Sequence, residues 1–288
     1  MHADRTCIED TFTTEAETNI FGRKRAADES FGVYRRLAVG QTTNHEIARV
    51  CQDGGVVTAL LLSAMQNGIV DAALVTGVHT EKSFYPVSKL AVTPTEVLEA
   101  AGSKYVCSKN TLSLAAEAEK LGKNRVALVG LPCQIRAFRR MQMASPSKIA
   151  CVKYSLGLMC SGCFSYELVT ELIRKKLSID ALSIIKMNIK KRLLIVTNTG
   201  VKSIPLSEIS SYKQKCVDGC CDFSSELADI SVGGLGLNGW TFAAIRSEKG
   251  EGLFVNAERA GLLRTKSVIS DDVALKLLVK LSLKKREH

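Results

Sequence analysis

Ten cysteines stand in this chain, and six of them fall in small groups: Cys133 directly after a proline, Cys160 and Cys163 as C-x-x-C, then Cys216, Cys220 and Cys221 as C-x-x-x-C-C. Thiolates are the usual protein ligands of iron–sulfur clusters, and four of them hold a 4Fe-4S centre. Paired C-x-x-C units also make structural zinc sites, so spacing alone leaves cluster and zinc both open. Cys7, Cys51, Cys107 and Cys151 are isolated in sequence. They read as packing residues, because lone thiols behave as small hydrophobes. No histidine is placed to act as a general base: His2 and His288 are terminal, and His45 and His79 sit in polar stretches.

A second chemical feature is the run Cys51-Gln52-Asp53-Gly54-Gly55, which feeds an apolar segment from Val56 to Met65. A glycine turn opening into a helix leaves backbone N–H groups that can hold a phosphate. A plain helix cap by Asp53 is the alternative.

The elements that must position these groups alternate. A helix is expected from Gly54 to the Asn67-Gly68 stop, followed by a buried strand over 70–76. A short helix over 94–101 follows a Thr93 cap, with further helices over 112–121, 135–143 and 166–177. Strands are expected over 125–130 and 149–158, the first almost wholly apolar, as a buried parallel strand should be. Residues 183–206 alternate in a β-like way around a Thr199-Gly200 turn. A strand over 241–246 and helices over 252–260 and 271–284 complete the pattern, while residues 1–33 read as a loosely ordered polar extension. Strand–turn–helix repetition predicts an α/β fold, a mostly parallel sheet with helices on its faces, plus a smaller β-containing C-terminal region around the cysteines. Cys133 and Cys160 each follow a strand, where such folds place their sites.

The chain has 288 residues, of which 46% are hydrophobic and 24% charged. That is enough for one large core or two moderate ones. The absence of a long apolar run and of a signal-peptide pattern predicts no transmembrane segment and a cytoplasmic location. In a reducing compartment clustered cysteines are metal ligands or redox groups more often than disulfides. The net charge of +10 is spread over separate segments and aromatic residues make up only 6%. Nucleic acid is therefore not the expected partner.

Four segments in order, 51–61, Gly102-Ser103-Lys104-Tyr105, Gly130-Leu131-Pro132-Cys133-Gln134 and 226–233, together resemble the β subunit of coenzyme F420-reducing hydrogenase and its relatives. The resemblance runs from about Tyr34 to Leu263. It implies an N-terminal domain over 34–117 and a C-terminal, cysteine-bearing domain over 118–265, between the extension 1–33 and a basic helix over 266–288. It further implies an iron–sulfur flavoprotein subunit that passes electrons between a 4Fe-4S cluster, FAD and coenzyme F420, beside a hydrogenase, formate dehydrogenase or similar redox partner. A cluster exchanges single electrons and F420 only a hydride, so the flavin stands between them. Rival readings are a flavin and iron–sulfur reductase of a chlorophyll-type compound or sulfite, and a non-enzymatic zinc-binding protein.

Carried over residue by residue, the resemblance places the cluster on Cys133, Cys160, Cys216 and Cys220, with Cys163 and Cys221 as spare thiols. The closing pair departs from the family's usual C-x-x-C by one residue, which leaves the fourth ligand open. For the flavin it points to Gln52, Asp53, Gly54, Gly55 and Thr58, to Ser103, Lys104 and Tyr105, and to Gly233 and Gly234. Lys104 there neutralises a pyrophosphate, or else is an ordinary surface cation.

Overall fold

The computed structural model describes residues 11–82, 84–108, 111–214, 220–269 and 272–287. Its strands are β1 Arg36–Thr42, β2 Ala72–Val78, β3 Pro86–Ala91, β4 Val126–Gly130, β5 Val152–Leu158, β6 Cys163–Phe164, β7 Ile184–Ile189, β8 Arg192–Thr197, β9 Gly200–Pro205, β10 Lys213–Gln214, β11 Ile230–Gly233, β12 Thr241–Ile245 and β13 Leu263–Ser267. The α-helices are α1 Thr11–Phe21, α2 His45–Val50, α3 Val56–Gln66, α4 Pro94–Glu99, α5 Ala115–Lys120, α6 Pro132–Ala144, α7 Leu206–Ile209, α8 Glu248–Arg259 and α9 Val273–Arg286.

Eight strands form one sheet in the order β13-β1-β12-β11-β5-β4-β2-β3. Its middle, β11-β5-β4-β2, is parallel, and the pairings outside that middle are antiparallel. The class is α/β, as the alternation predicts. The apolar strands explain the parallel middle, since such strands are covered on both faces. Val126, Ala127 and Leu128 of β4 are buried between α3 on one side and α6 on the other. Two smaller sheets, β7-β8-β9 and β10-β6, lie between residues 163 and 214. The three-stranded one buries Ile184, Leu193, Ile195 and Ile204 against a π-helix over Leu168–Lys176.

Thr93 caps α4 with a reciprocal Glu96 bond, as its sequence announces. Other expectations are corrected. Helix α8 begins four residues before the expected start, because Ser247 caps it by accepting from the Gly250 N–H. Glycine is required at position 250, since a Cβ there would collide with the Asp229 carbonyl.

The N-terminal segment is built into the fold over its described residues, not loosely ordered. Helix α1 buries Ala16 and Glu17, and Arg25 pairs with both Glu17 and Glu226. Strand β1 and helix α2 also precede the glycine turn. Asn44 accepts from the Glu46 and Ile47 N–H groups to start α2.

Candidate functional site

The carboxyl ends of β4, β5 and β11 lie side by side, and each releases a loop carrying a predicted site residue. After β4, Pro132 opens α6 and puts Cys133 in its first turn. After β5 comes Cys160, whose N–H donates to the Phe223 carbonyl at 2.8 Å and so lies against the segment that follows Cys220. The Cys133 thiol is pushed up to about 11, first by burial and then by the charges of Cys220 and Cys160. These three thiols therefore share one neighbourhood, with Cys160 also feeling Lys285 of α9. Cys216 lies outside the described residues.

Its isolation in sequence makes Cys107 a packing residue, yet the fold brings it into this neighbourhood. Val106 bridges Phe164, the Cys107 N–H donates to the Phe164 carbonyl at 3.0 Å, and Cys107 Sγ lies 2.7 Å from Cys163 Sγ. Cys133, Cys160 and Cys220 carry thiols. Among the described residues no three His, Cys, Asp or Glu side chains form a ready-made metal site as placed. The donor types are those of an iron–sulfur centre or zinc, several thiols from separate loops, and the buried Asp222 carboxyl also lies close enough to act on Cys160.

The glycine turn is the second half of the site. Gly55, at φ 70°, is the residue before α3, and no side chain caps that helix, which removes the reading of Asp53 as the helix cap. A Cβ on Gly54 would collide with the Gly40 carbonyl oxygen, so the turn is pressed onto β1 by backbone that only glycine permits. Thr241 Oγ1 accepts from the Gly54 N–H at 2.9 Å. Thr58 is buried in the first turn of α3.

Around this turn the chain assembles partners from distant segments. Ser103 donates to the Gln52 side-chain carbonyl, and Gln52 Nε2 donates to Asn188 Oδ1 at 3.0 Å. The Ile189 N–H donates to the Tyr105 hydroxyl at 3.0 Å, and burial pushes that phenol up to about 12, so it stays protonated. Asp53 pairs with Lys190 at 3.5 Å, and Lys190 donates to Asn238. A Cβ on Gly234 would collide with Asp53 Oδ2, and one on Gly233 would meet Met159 Sδ at 2.5 Å. Gly233 thus packs beside the residue before Cys160 while Gly234 packs against the turn, which ties the two halves together.

Lys104 is not a surface cation. It is buried, and its ammonium donates to the carbonyls of Ala100, Ala101 and Gly102, just past the C-terminus of α4. Burial pushes it down to about 8. Asn188 and Lys190 escape sequence reasoning because their segment is read for its alternation, and nothing in it announces contact with residues 52 and 53, far away along the chain.

Two carboxylates of the 226–233 segment serve the framework. Asp229 accepts from Ser155 at 2.7 Å and Ser247 at 2.7 Å and pairs with Arg139 at 3.3 Å, joining β5, α6 and the start of α8. Glu226 binds Arg25 and Arg286, so the first and last parts of the described chain are fastened to the loop after Cys220. The wholly buried Arg246 completes that anchor, donating to Ser231, Val33 and Ser224.

Comparison with known proteins identifies the family and the fold. The chain is 34% identical over 261 residues to the coenzyme F420 hydrogenase subunit beta of Methanococcus voltae, covering 89% of this chain and 93% of that one. It is 36% identical over 219 residues to the coenzyme F420-dependent sulfite reductase of Methanocaldococcus jannaschii, which is 69% of this chain and 34% of the reductase. In three dimensions it matches a chain of the F420-reducing [NiFe] hydrogenase complex from Methanosarcina barkeri with a TM-score of 0.82, 30% identity and 91% of each chain covered. No helix among the described residues is long and apolar enough to cross a membrane. Residues 37–115 match the N-terminal part, and residues 123–271 the C-terminal part, of the coenzyme F420 hydrogenase/dehydrogenase beta subunit, and the chain belongs to that family.

Proposed function

We propose that this chain is the F420-dependent subunit of an oxidoreductase, moving electrons between a 4Fe-4S centre, FAD and coenzyme F420. The observation that carries the reading is the adjacency of two different binding chemistries: converging thiols, and a glycine turn ringed by small polar groups. They are linked by the segment from Ser103 to Cys107 and by Gly233-Gly234. The flavin is the group that converts between the hydride of F420 and the single electrons of a cluster.

For FAD, Gln52, Asp53, Gly54, Gly55 and Thr58 provide the turn, with Ser103 and Tyr105 beside it and Asn188 holding Gln52. Gly233 and Gly234 let the backbone approach closely. Lys104 organises its own turn, and Lys190 takes over as the cation paired with Asp53. For the cluster, Cys133, Cys160 and Cys220 supply thiolates. The names of the relatives point to a hydrogenase, formate dehydrogenase or sulfite-reducing partner. A hydrogenase-type assembly is favoured, since this chain and the Methanococcus voltae subunit cover nearly all of each other.

The test is anaerobic purification of the full chain with iron, sulfide, zinc and flavin analysis, followed by reduction of F420 with a reduced viologen. Stoichiometric flavin with iron and sulfide, and viologen-dependent F420 reduction, are the expected result. Stoichiometric zinc in a colourless protein supports the zinc-binding alternative instead.

A further inference from the structure

We propose that the β7–β8 hairpin is the site for the anionic side chain of coenzyme F420, with Lys186 and Lys191 as the charges that hold it. The inference rests on the F420 reading above and places one part of that coenzyme.

One face of β7 docks the hairpin on the glycine turn. Side chains two residues apart share a face of a strand. Lys186 and Asn188, continued by Lys190 just past the strand, reach one short segment. Lys186 Nζ donates to the Cys51 carbonyl at 3.3 Å, Asn188 Nδ2 donates to the Gln52 carbonyl at 3.4 Å, and Lys190 pairs with Asp53 at 3.5 Å. The Ile189 N–H on the Tyr105 hydroxyl adds a backbone clamp. Residues 51–53 and 186–190 are therefore two walls of one place, and Gly54-Gly55 follow directly from the first wall.

Charge across these walls does not balance. Asp53 is the carboxylate that the hairpin meets, and Lys190 already pairs with it. Lys186 reaches a backbone carbonyl and Lys191 is exposed at the hairpin tip, so among the described residues neither forms an ion pair. Arg192, the next residue, turns away to Ser203 of β9. Two ammonium groups without a countercharge, at the border of a binding turn, attract and steer an anion.

Coenzyme F420 supplies that anion. Its deazaflavin ring has to lie against the flavin for hydride transfer, while its ribityl chain continues into a phosphodiester and glutamate carboxylates. With the flavin on the glycine turn, the hairpin is a cationic element beside the path of that chain. The FAD pyrophosphate is served by backbone N–H groups of the turn and does not need these lysines.

The experiment uses the full chain, purified anaerobically with its flavin, as wild type, Lys186→Gln, Lys186→Arg and the Lys186→Gln/Lys191→Gln double variant. Two probes are compared, F420 and the deazaflavin riboside that lacks the phosphate and glutamates, by fluorescence anisotropy and by viologen-driven reduction. Lys186→Gln is expected to raise the Kd and KM for F420 about fivefold and the double variant about twentyfold, with kcat, flavin content and circular dichroism at wild-type values. Lys186→Arg keeps the charge and should stay within about twofold of wild type. The riboside should not distinguish the variants, and added salt should shrink the difference between wild type and the double variant for F420. An F420 Kd unchanged in the double variant, or an equal loss for the riboside, overturns the inference while leaving the F420 reading intact. Flavin loss in the double variant overturns it as well, by giving the hairpin to the FAD phosphates. A wild-type chain that neither binds nor reduces F420 overturns both.

Discussion

The thiol side and the glycine-turn side of the site are built on opposite principles. On the thiol side a few side chains carry the chemistry, and the backbone serves to bring Cys133, Cys160 and Cys220 near one another from separate loops. At the turn the backbone itself forms the surface, and its side chains mostly hold one another: Ser103 on Gln52, Gln52 on Asn188, Lys190 on Asp53. The first arrangement fails when one atom is lost. The second fails when one atom is added.

That contrast sets the order of expected effects. The largest belongs to the thiols: Cys133→Ala or Cys160→Ala should bring iron, sulfide and F420 reduction to background while flavin stays bound. Flavin lost in equal measure would show that the two halves are not separable. Next is Gly54→Ala, where a methyl group meets the Gly40 carbonyl and the Thr241 backbone nitrogen. Overpacking of this kind costs about 3 kcal/mol. It is read as a fall in thermal midpoint together with flavin loss, and wild-type stability would mean the turn is not pressed onto β1.

Asn188→Ala comes third. It removes the acceptor of the Gln52 side-chain N–H, leaves the Ser103 bond to Gln52 in place and touches no thiol. Leaving a part-buried amide N–H unpaired costs about 2 kcal/mol. The expected readout is weaker flavin binding with iron unchanged. Lys190→Met is smallest, because the Lys190 side chain is 29% exposed. Ion pairs of that exposure contribute about 0.5 kcal/mol. Flavin affinity, followed by fluorescence titration, should fall by no more than about twofold. A far larger loss would make Lys190 a direct contact of the flavin.

Beneath both sides lies a framework whose stability depends on pH. Burial alone would raise the Asp229 carboxyl, but Arg139, Lys249 and two serine hydroxyls outweigh it and hold the group below the ordinary aspartate range. A folded-state value below the unfolded one contributes stability that is present above the unfolded value and lost as pH falls through the folded value. Arg139→Met should therefore shift the acid-unfolding midpoint upward in pH, followed by circular dichroism. An unchanged midpoint would remove Asp229 from the acid-sensitive anchors.

How much is legible in the sequence differs between the halves for a physical reason. Cysteine chemistry is visible residue by residue, so the thiol side can be located from Cys133 and Cys160, each just past a strand. Which thiols meet is a tertiary fact, and Cys107 looks like a packing residue until the bridge beside it to Phe164 places it. Glycines announce a turn, and Gly54-Gly55 do so. The groups around that turn come from β7 and from the loop after β11, where Asn188 and Asn238 carry no local signal. The α/β class follows from strand–helix alternation, but β1 and α2 escape it. Seven residues of β1 with a glycine among them give little periodicity, and their place in the sheet is set by pairing with β12 and β13.

The most direct test mixes the anaerobic full-length chain with reduced F420 and follows the flavin absorbance together with the paramagnetic signal of a reduced cluster. Bleaching of bound flavin followed by appearance of the cluster signal is the predicted result. Bound flavin and iron that both stay oxidised in excess reduced F420 would contradict it.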